Sequence, residues 1–393
     1  MKKLFALILA VILACGMFSI HSFADKAPTL DSDTVLYYIP GVSQFYHADP
    51  NCRAVSGKLR PIQGTFTCAE INDEPYRSLK PCKACGAPKR ELAAAAPASE
   101  NLFEYTVNPD GTAEITKVKK DYSIARLPAE LDGHKVTSIG KDAFRDNYGL
   151  TSVIVPEGVT CIGHHAFAYM DRLEEITLPD SLTTIETQAF FFSDRLKTIN
   201  IPAALTSIDS GAFCWCDSLD DIRVDPANPV FEVRDGVLVN KKENMLVYHP
   251  VANDKVYTVP DGFEKIGRDA FFHNSMEEII IPDSVKSIGG SAFFQCGKLK
   301  TVRLPEGLTE ISNTMFSQCA SLERITIPDG VESIEDGAFY NCGNLTEIVI
   351  PASVTHIDAD AFEGCNKLTV KAPADSLAQK YCEAKGIRFE ELK

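Results

Sequence analysis

The chain has little positive charge to offer: across 393 residues, 39 Lys and Arg face 54 Asp and Glu, a formal net charge of -15. That balance repels a phosphate backbone unless a local basic patch overrides it, and the Lys and Arg are scattered, which argues against a nucleic-acid partner. After residue 24 there is no apolar stretch near the roughly 20 residues of a spanning helix, so no membrane span is expected there. Catalytic groupings are also missing. No Gly-rich phosphate loop, no paired carboxylates and no nucleophile beside a base stand out. Among eight His, only His164 and His165 are adjacent, in a turn where solvated surface is the expected role. These absences point away from an enzyme.

What is present begins with an export signal. Lys2 and Lys3 precede an apolar run from Leu4 to Phe18, and small residues Ser22 and Ala24 stand before Asp25. This is the layout of a secretory signal peptide over residues 1–24, cut after Ala24. A rival cut exists, because Ile12-Leu13-Ala14-Cys15 resembles a bacterial lipobox and would leave Cys15 as a lipid anchor. Either cut sends the protein out of a bacterial cell, secreted or held at its surface.

The strongest signal is a repeat of 23 residues. One copy runs Leu322-x2-Ile325-x-Ile327-Pro328-x2-Val331-x2-Ile334-x3-Ala338-Phe339-x2-Cys342 and restarts at Leu345. The phenylalanine recurs at Phe144, Phe167, Phe190, Phe213, Phe271, Phe293, Phe316, Phe339 and Phe362. Leu322, Ile325 and Ile327 match the L-x-x-L-x-L strand of leucine-rich repeats, with alternate side chains inward; Pro328 ends the strand because it has no N–H to donate. One coil buries too little to stand alone, so coils must stack into a parallel β-solenoid, about ten of them over residues 101–370, with the phenylalanines as an internal spine. Phe213 to Phe271 spans 58 residues, which places a β-hairpin island at 225–258. A hairpin about Asn108-Pro109-Asp110-Gly111 caps one end. Residues 371–393 cap the other, with a short helix over 374–385 stopped by Gly386.

The repeat closely resembles the BspA-type leucine-rich repeats of bacterial surface and secreted proteins, over about residues 101–393. That resemblance implies the solenoid fold and an adhesin-like binding role, with an extracellular protein or glycan as partner and no catalysis.

Residues 25–90 share nothing with the repeat and form a separate small module, joined by an Ala- and Pro-containing linker at 91–100. His47, Cys52, Cys82 and Cys85 supply one imidazole and three thiolates, enough for a closed tetrahedral Zn2+ shell. The module resembles the small metal-binding domain of Ada-type alkylation-repair proteins, whose methyl-acceptor activity is not carried over. Two disulfides recruiting Cys68 are the alternative that an exported setting permits.

Inside the solenoid, Cys216, Cys296, Cys319, Cys342 and Cys365 share one coil position and read as packed thiols. Two surface rows are candidates for binding. One is the outward side of the strands, including Thr177, Asn200, Arg223, Arg303 and Thr326. The other is Tyr169, Phe192 and Trp215, two residues after the spine phenylalanine, where later coils carry Gln295, Gln318, Asn341 and Gly364; packing of these rings on one another is the competing expectation. A metal-handling or enzymatic N-terminal module delivered by the repeats, or a structural envelope protein, are the alternative functions.

Overall fold

The structure, a computed structural model, describes residues 102–118, 124–251 and 255–392, with backbone alone at 124–125 and in four short N-terminal strands. The chain divides into two compact units, Met1–Ala96 and Pro97–Lys393. In the first, Val35–Tyr38 runs antiparallel to Gly64–Thr67, and Phe45–Tyr46 runs parallel to Lys80–Pro81. The expected zinc ligands His47, Cys52, Cys82 and Cys85 lie outside the described residues, as do Cys15 and Ala24.

Each coil of the second unit contributes two short strands. Arg324–Thr326 buries Ile325 between two exposed neighbours, and Ser333–Ile334 buries Ile334. Both strands pair in parallel with their counterparts one coil on, Ile325 opposite Ile348 and Ile334 opposite Ile357. A constant repeat length therefore sets like against like, and the two-residue alternation of a strand keeps one row of Ile, Val and Leu inside.

After the second strand the chain turns through the spine phenylalanine. Its N–H donates to the carbonyl one residue before the next spine ring, as in Phe167 to Ala189 and Phe271 to Ala292, both at 2.8 Å. The rings stack nearly face to face: Phe293 and Phe316 lie 5.2 Å apart at 5°, Phe339 and Phe362 5.3 Å apart at 8°. The ends of the row are closed by rings set at an angle, Phe103 of the hairpin strand Phe103–Val107 against Phe144, and Tyr381 of the helix Leu377–Lys385 against Phe362. Ser376 caps that helix by accepting from the Gln379 N–H, and Gly386 ends it at φ 68°.

Between Phe213 and Phe271 the expected hairpin is present, Phe231–Arg234 antiparallel to Val237–Asn240 about Asp235-Gly236, and it sits within one enlarged coil. Its first strand is Asp221–Val224 and its second is Met245–Tyr248, with the strands Phe231–Arg234 and Val237–Asn240 inserted between them. His249 takes the spine position: its N–H donates to Ala270 at 2.8 Å and its ring lies 5.0 Å from Phe271. Tyr248 meets Phe213 edge-on at 5.6 Å. Because the inserted strand Val237–Asn240 pairs with Met245–Tyr248, the ladder that ends at Ser207–Ile208 does not continue into it. The core accordingly forms two buried clusters that meet at this coil.

The cysteine row has a defined job. Cys216, Cys296, Cys319, Cys342 and Cys365 each donate Sγ–H to the carbonyl of a preceding spine phenylalanine, at 3.0 to 3.2 Å. Ser193 makes the same bond with its hydroxyl to Phe167. Burial pushes the Cys216, Cys296 and Cys319 thiols up, Cys296 to about 12, so these three are poor nucleophiles. We expect Cys319→Ser to leave stability within about 1 kcal/mol of the wild type, because Oγ replaces the donor, whereas Cys319→Ala, which empties the buried thiol site and leaves the Phe293 carbonyl only the Cys296 N–H at 3.2 Å, costs about 1–2 kcal/mol. Urea unfolding of the pair checks the difference.

Candidate binding surface

Every spine phenylalanine is flanked by tight turns, and the residue two positions later adopts left-handed backbone: φ is 57° at Tyr169, 62° at Phe192 and 62° at Trp215. The same conformation recurs at His273, Gln295, Gln318, Asn341 and Gly364. It costs an L-residue about 1–2 kcal/mol, and Gly and Asn bear it best. Gly364 and Asn341 therefore suit the turn; Tyr, Phe and Trp do not, and their presence needs a reason beyond the turn itself.

The three rings form one column. Tyr169 and Phe192 stack at 5.6 Å and 19°, Phe192 and Trp215 at 4.8 Å and 31°, and His273 continues the column at 3.8 Å from Trp215. The Arg145 guanidinium covers the far face of Tyr169 at 5.0 Å. Ring faces are thus occupied by neighbours, and the half-buried column turns its edges outward. Phe191 stands edge-on to Tyr169, and Phe272 stacks on Phe294 at 5.2 Å beside it. These second aromatics, adjacent to the spine ring in sequence, extend the patch over the coils from Phe167 to Phe293. Their signal in the sequence is the doubled Phe at 190–191, 271–272 and 293–294.

The strand face is less continuous than a single row. Thr177, Asn200 and Arg223 belong to one five-stranded sheet, with Asn200 opposite Arg223, whereas Arg303 and Thr326 lie in two other sheets. Arg223 pairs with Asp221 on its own strand, and Arg303 bonds the Ile281 carbonyl at 3.0 Å and Asp283. Two of the five candidates are therefore engaged within the chain. His164 and His165 are half-buried and stack at 3.9 Å, with His165 Nε2 2.9 Å from Gln188 Oε1. Among the described residues no group of three or more His, Cys, Asp or Glu is placed to hold a metal ion.

Where the ladder breaks, a cavity of about 170 Å³ opens between Gly211, Phe213 and Cys214 on one side and Met245, Tyr248 and Asp269 on the other. Burial pushes the Asp269 carboxyl up to about 6, with Arg268 opposing. The folded chain thus holds this proton more tightly than the unfolded one. Its contribution to stability is present below about pH 4 and lost as pH rises through 6, about 2–3 kcal/mol in all. Asp269→Asn is expected to be the more stable protein at pH 7 and to lose that advantage at pH 4, as measured by urea unfolding at the two pH values.

A model of the BspA type leucine rich repeat region matches residues 136–240 and 253–375, in six copies. No curated protein sequence matches the chain. Among solved structures, a leucine rich cell surface protein from Faecalibacterium prausnitzii is 27% identical with a TM-score of 0.52, over 72% of this chain and 96% of that one. The pneumococcal vaccine antigen PcpA shares the fold at 19% identity and a TM-score of 0.57, over 76% of this chain and 84% of its own. Among the described residues no helix is long and apolar enough to cross a membrane.

Proposed function

This chain belongs to the BspA-type leucine-rich repeat family, and from that premise we propose that it is an exported bacterial scaffold that binds an extracellular protein and catalyses nothing. The observation that carries this role is the column Tyr169–Phe192–Trp215, rings kept at backbone positions that penalise them. Aromatic side chains turned edge-outward, with their faces already stacked, fit the apolar groups of a protein surface. They are poorly disposed for a sugar, which would use a free ring face. The Faecalibacterium protein is described as a cell surface protein, and residues 1–24 would take this chain to the same side of the membrane.

Full-length protein and the variant Tyr169→Asn/Phe192→Asn/Trp215→Asn, presented to a panel of purified extracellular proteins and to a glycan array, test the role. At least one protein should bind the wild type, with affinity lost by about tenfold or more in the variant. Binding to glycans alone, or equal binding by both chains, contradicts it.

Within the same proposal, His47, Cys52, Cys82 and Cys85 hold a structural Zn2+ in the N-terminal unit. Metal analysis of the full-length protein purified without reductant or chelator should then find one zinc per chain; no metal, with Cys68 in a disulfide, contradicts the site.

A further inference from the structure

We propose that the partner is a protein segment carrying basic side chains among apolar ones, docked along the column Tyr169–Phe192–Trp215 and the acidic column beside it. The inference rests on the aromatic column being the binding surface and adds the chemistry of what binds there. Two residues after each of those aromatics stands an aspartate, giving Asp171, Asp194 and Asp217 in three successive coils. The corresponding residues of later coils are Ser275, Gly297, Ala320, Gly343 and Asn366. Acid and aromatic thus occur together in the same three coils and are absent together from the later ones.

Asp194, in the middle, is the informative residue. Its Oδ1 is closed off from solvent and accepts no hydrogen bond. Burial, and then the like charges of Asp171 and Asp217, hold its carboxyl above the usual carboxylate range. A buried acceptor without a donor is costly, and three carboxylates at coil spacing, about 5 Å, repel one another. An incoming ammonium or guanidinium on the open side of the row relieves that repulsion.

The ends of the strip already show this chemistry satisfied from within: Arg145 lies over Tyr169, while His273 stacks on Trp215 with Nδ1 3.1 Å from Asp217. Arg172 and Arg195 also face Glu174, which Lys197 bonds at 2.6 Å; Arg195 acts on Asp194 without reaching its Oδ1. The centre of the strip is where a donor is missing. From Asp171 to Asp217 is about 10 Å, the reach of three or four residues of extended peptide. A net charge of -15 adds long-range attraction for such a partner.

Trp215 is the single tryptophan of the chain, so its fluorescence reports on this strip alone. The full-length protein is titrated with a short synthetic peptide of alternating Lys and Phe, with its Glu and Phe counterpart, and with a neutral oligosaccharide. The Lys peptide should give a saturable change in Trp215 emission that weakens as salt is raised. In Asp171→Asn/Asp194→Asn/Asp217→Asn its affinity should fall about tenfold or more, with Asp194→Asn alone giving part of that loss. Unfolding curves that match the wild type confirm that the variants are folded. An equal response to the Glu peptide, unchanged affinity in the Asn variant, or no response to the Lys peptide overturns the basic partner. If a panel protein still depends on Tyr169, Phe192 and Trp215 in that event, the binding role stands without it; if none does, both fall.

Discussion

Replacing Phe293 by Ala is expected to lower the free energy of unfolding by about 3–5 kcal/mol. Phe293 has no exposed surface and lies between Phe271 and Phe316, each 5.2 Å away and nearly parallel. Those neighbours cannot slide into the vacated space, because each spine residue is tied to the next coil through its own N–H, Phe293 to Met315 at 2.9 Å and Phe271 to Ala292 at 2.8 Å. In a solenoid, stability is close to a sum over neighbouring coils, and this one ring serves two interfaces. Phe294→Ala, one residue on and half-buried, removes a ring of the same size from the surface patch and should cost about a third as much or less. Urea unfolding of the two variants separates a spine residue from an edge residue.

Asn228→Ala should be comparably severe, again about 3–5 kcal/mol. Asn228 is 1% exposed and makes four bonds. Its Nδ2 donates to the Pro202 carbonyl at 2.7 Å and the Leu205 carbonyl at 2.9 Å, and its Oδ1 accepts from the N–H groups of Val230 and Phe231 at 2.9 and 2.7 Å. One side chain thus fastens the enlarged coil to the regular coil before it, where the strand ladder is interrupted. Alanine takes this partner from four buried backbone groups, of which the Pro202 carbonyl keeps the Leu205 N–H at 3.2 Å. Asn228→Asp keeps the acceptor, but turns a carboxylate toward two carbonyls, and should be no better. Hydrogen exchange is expected to rise first in Phe231–Arg234 and Val237–Asn240, before the regular coils open.

What the sequence discloses depends on repetition. Phe144 to Phe362 recur in step, so a spine and a parallel stack follow from spacing alone. His249 breaks the step in both identity and interval, which hides the fact that the long segment is a coil in its own right. The left-handed turn is visible only in outline, through Gln295, Asn341 and Gly364. Tyr169, Phe192 and Trp215 are poor residues for that backbone, and no local preference predicts them there. Asn228 is a single asparagine in a loop-like run, and its importance lies in partners 23 and 26 residues away. The strand face reads as one continuous row in sequence and is divided twice in space, once where the chain leaves Asp221–Val224 for the inserted strands and again between Thr301–Arg303 and Arg324–Thr326.

The central claim is that the column Tyr169–Phe192–Trp215 is kept for binding and not for folding. The most direct test is the unfolding free energy of Tyr169→Asn/Phe192→Asn/Trp215→Asn. Asparagine relieves the left-handed strain at three positions, about 1–2 kcal/mol each, against the loss of half-buried ring stacking of similar size. The account predicts a stability within about 2 kcal/mol of the wild type. A loss well beyond that, approaching the effect of Phe293→Ala, would show that the column is part of the core and contradict its assignment as a binding surface.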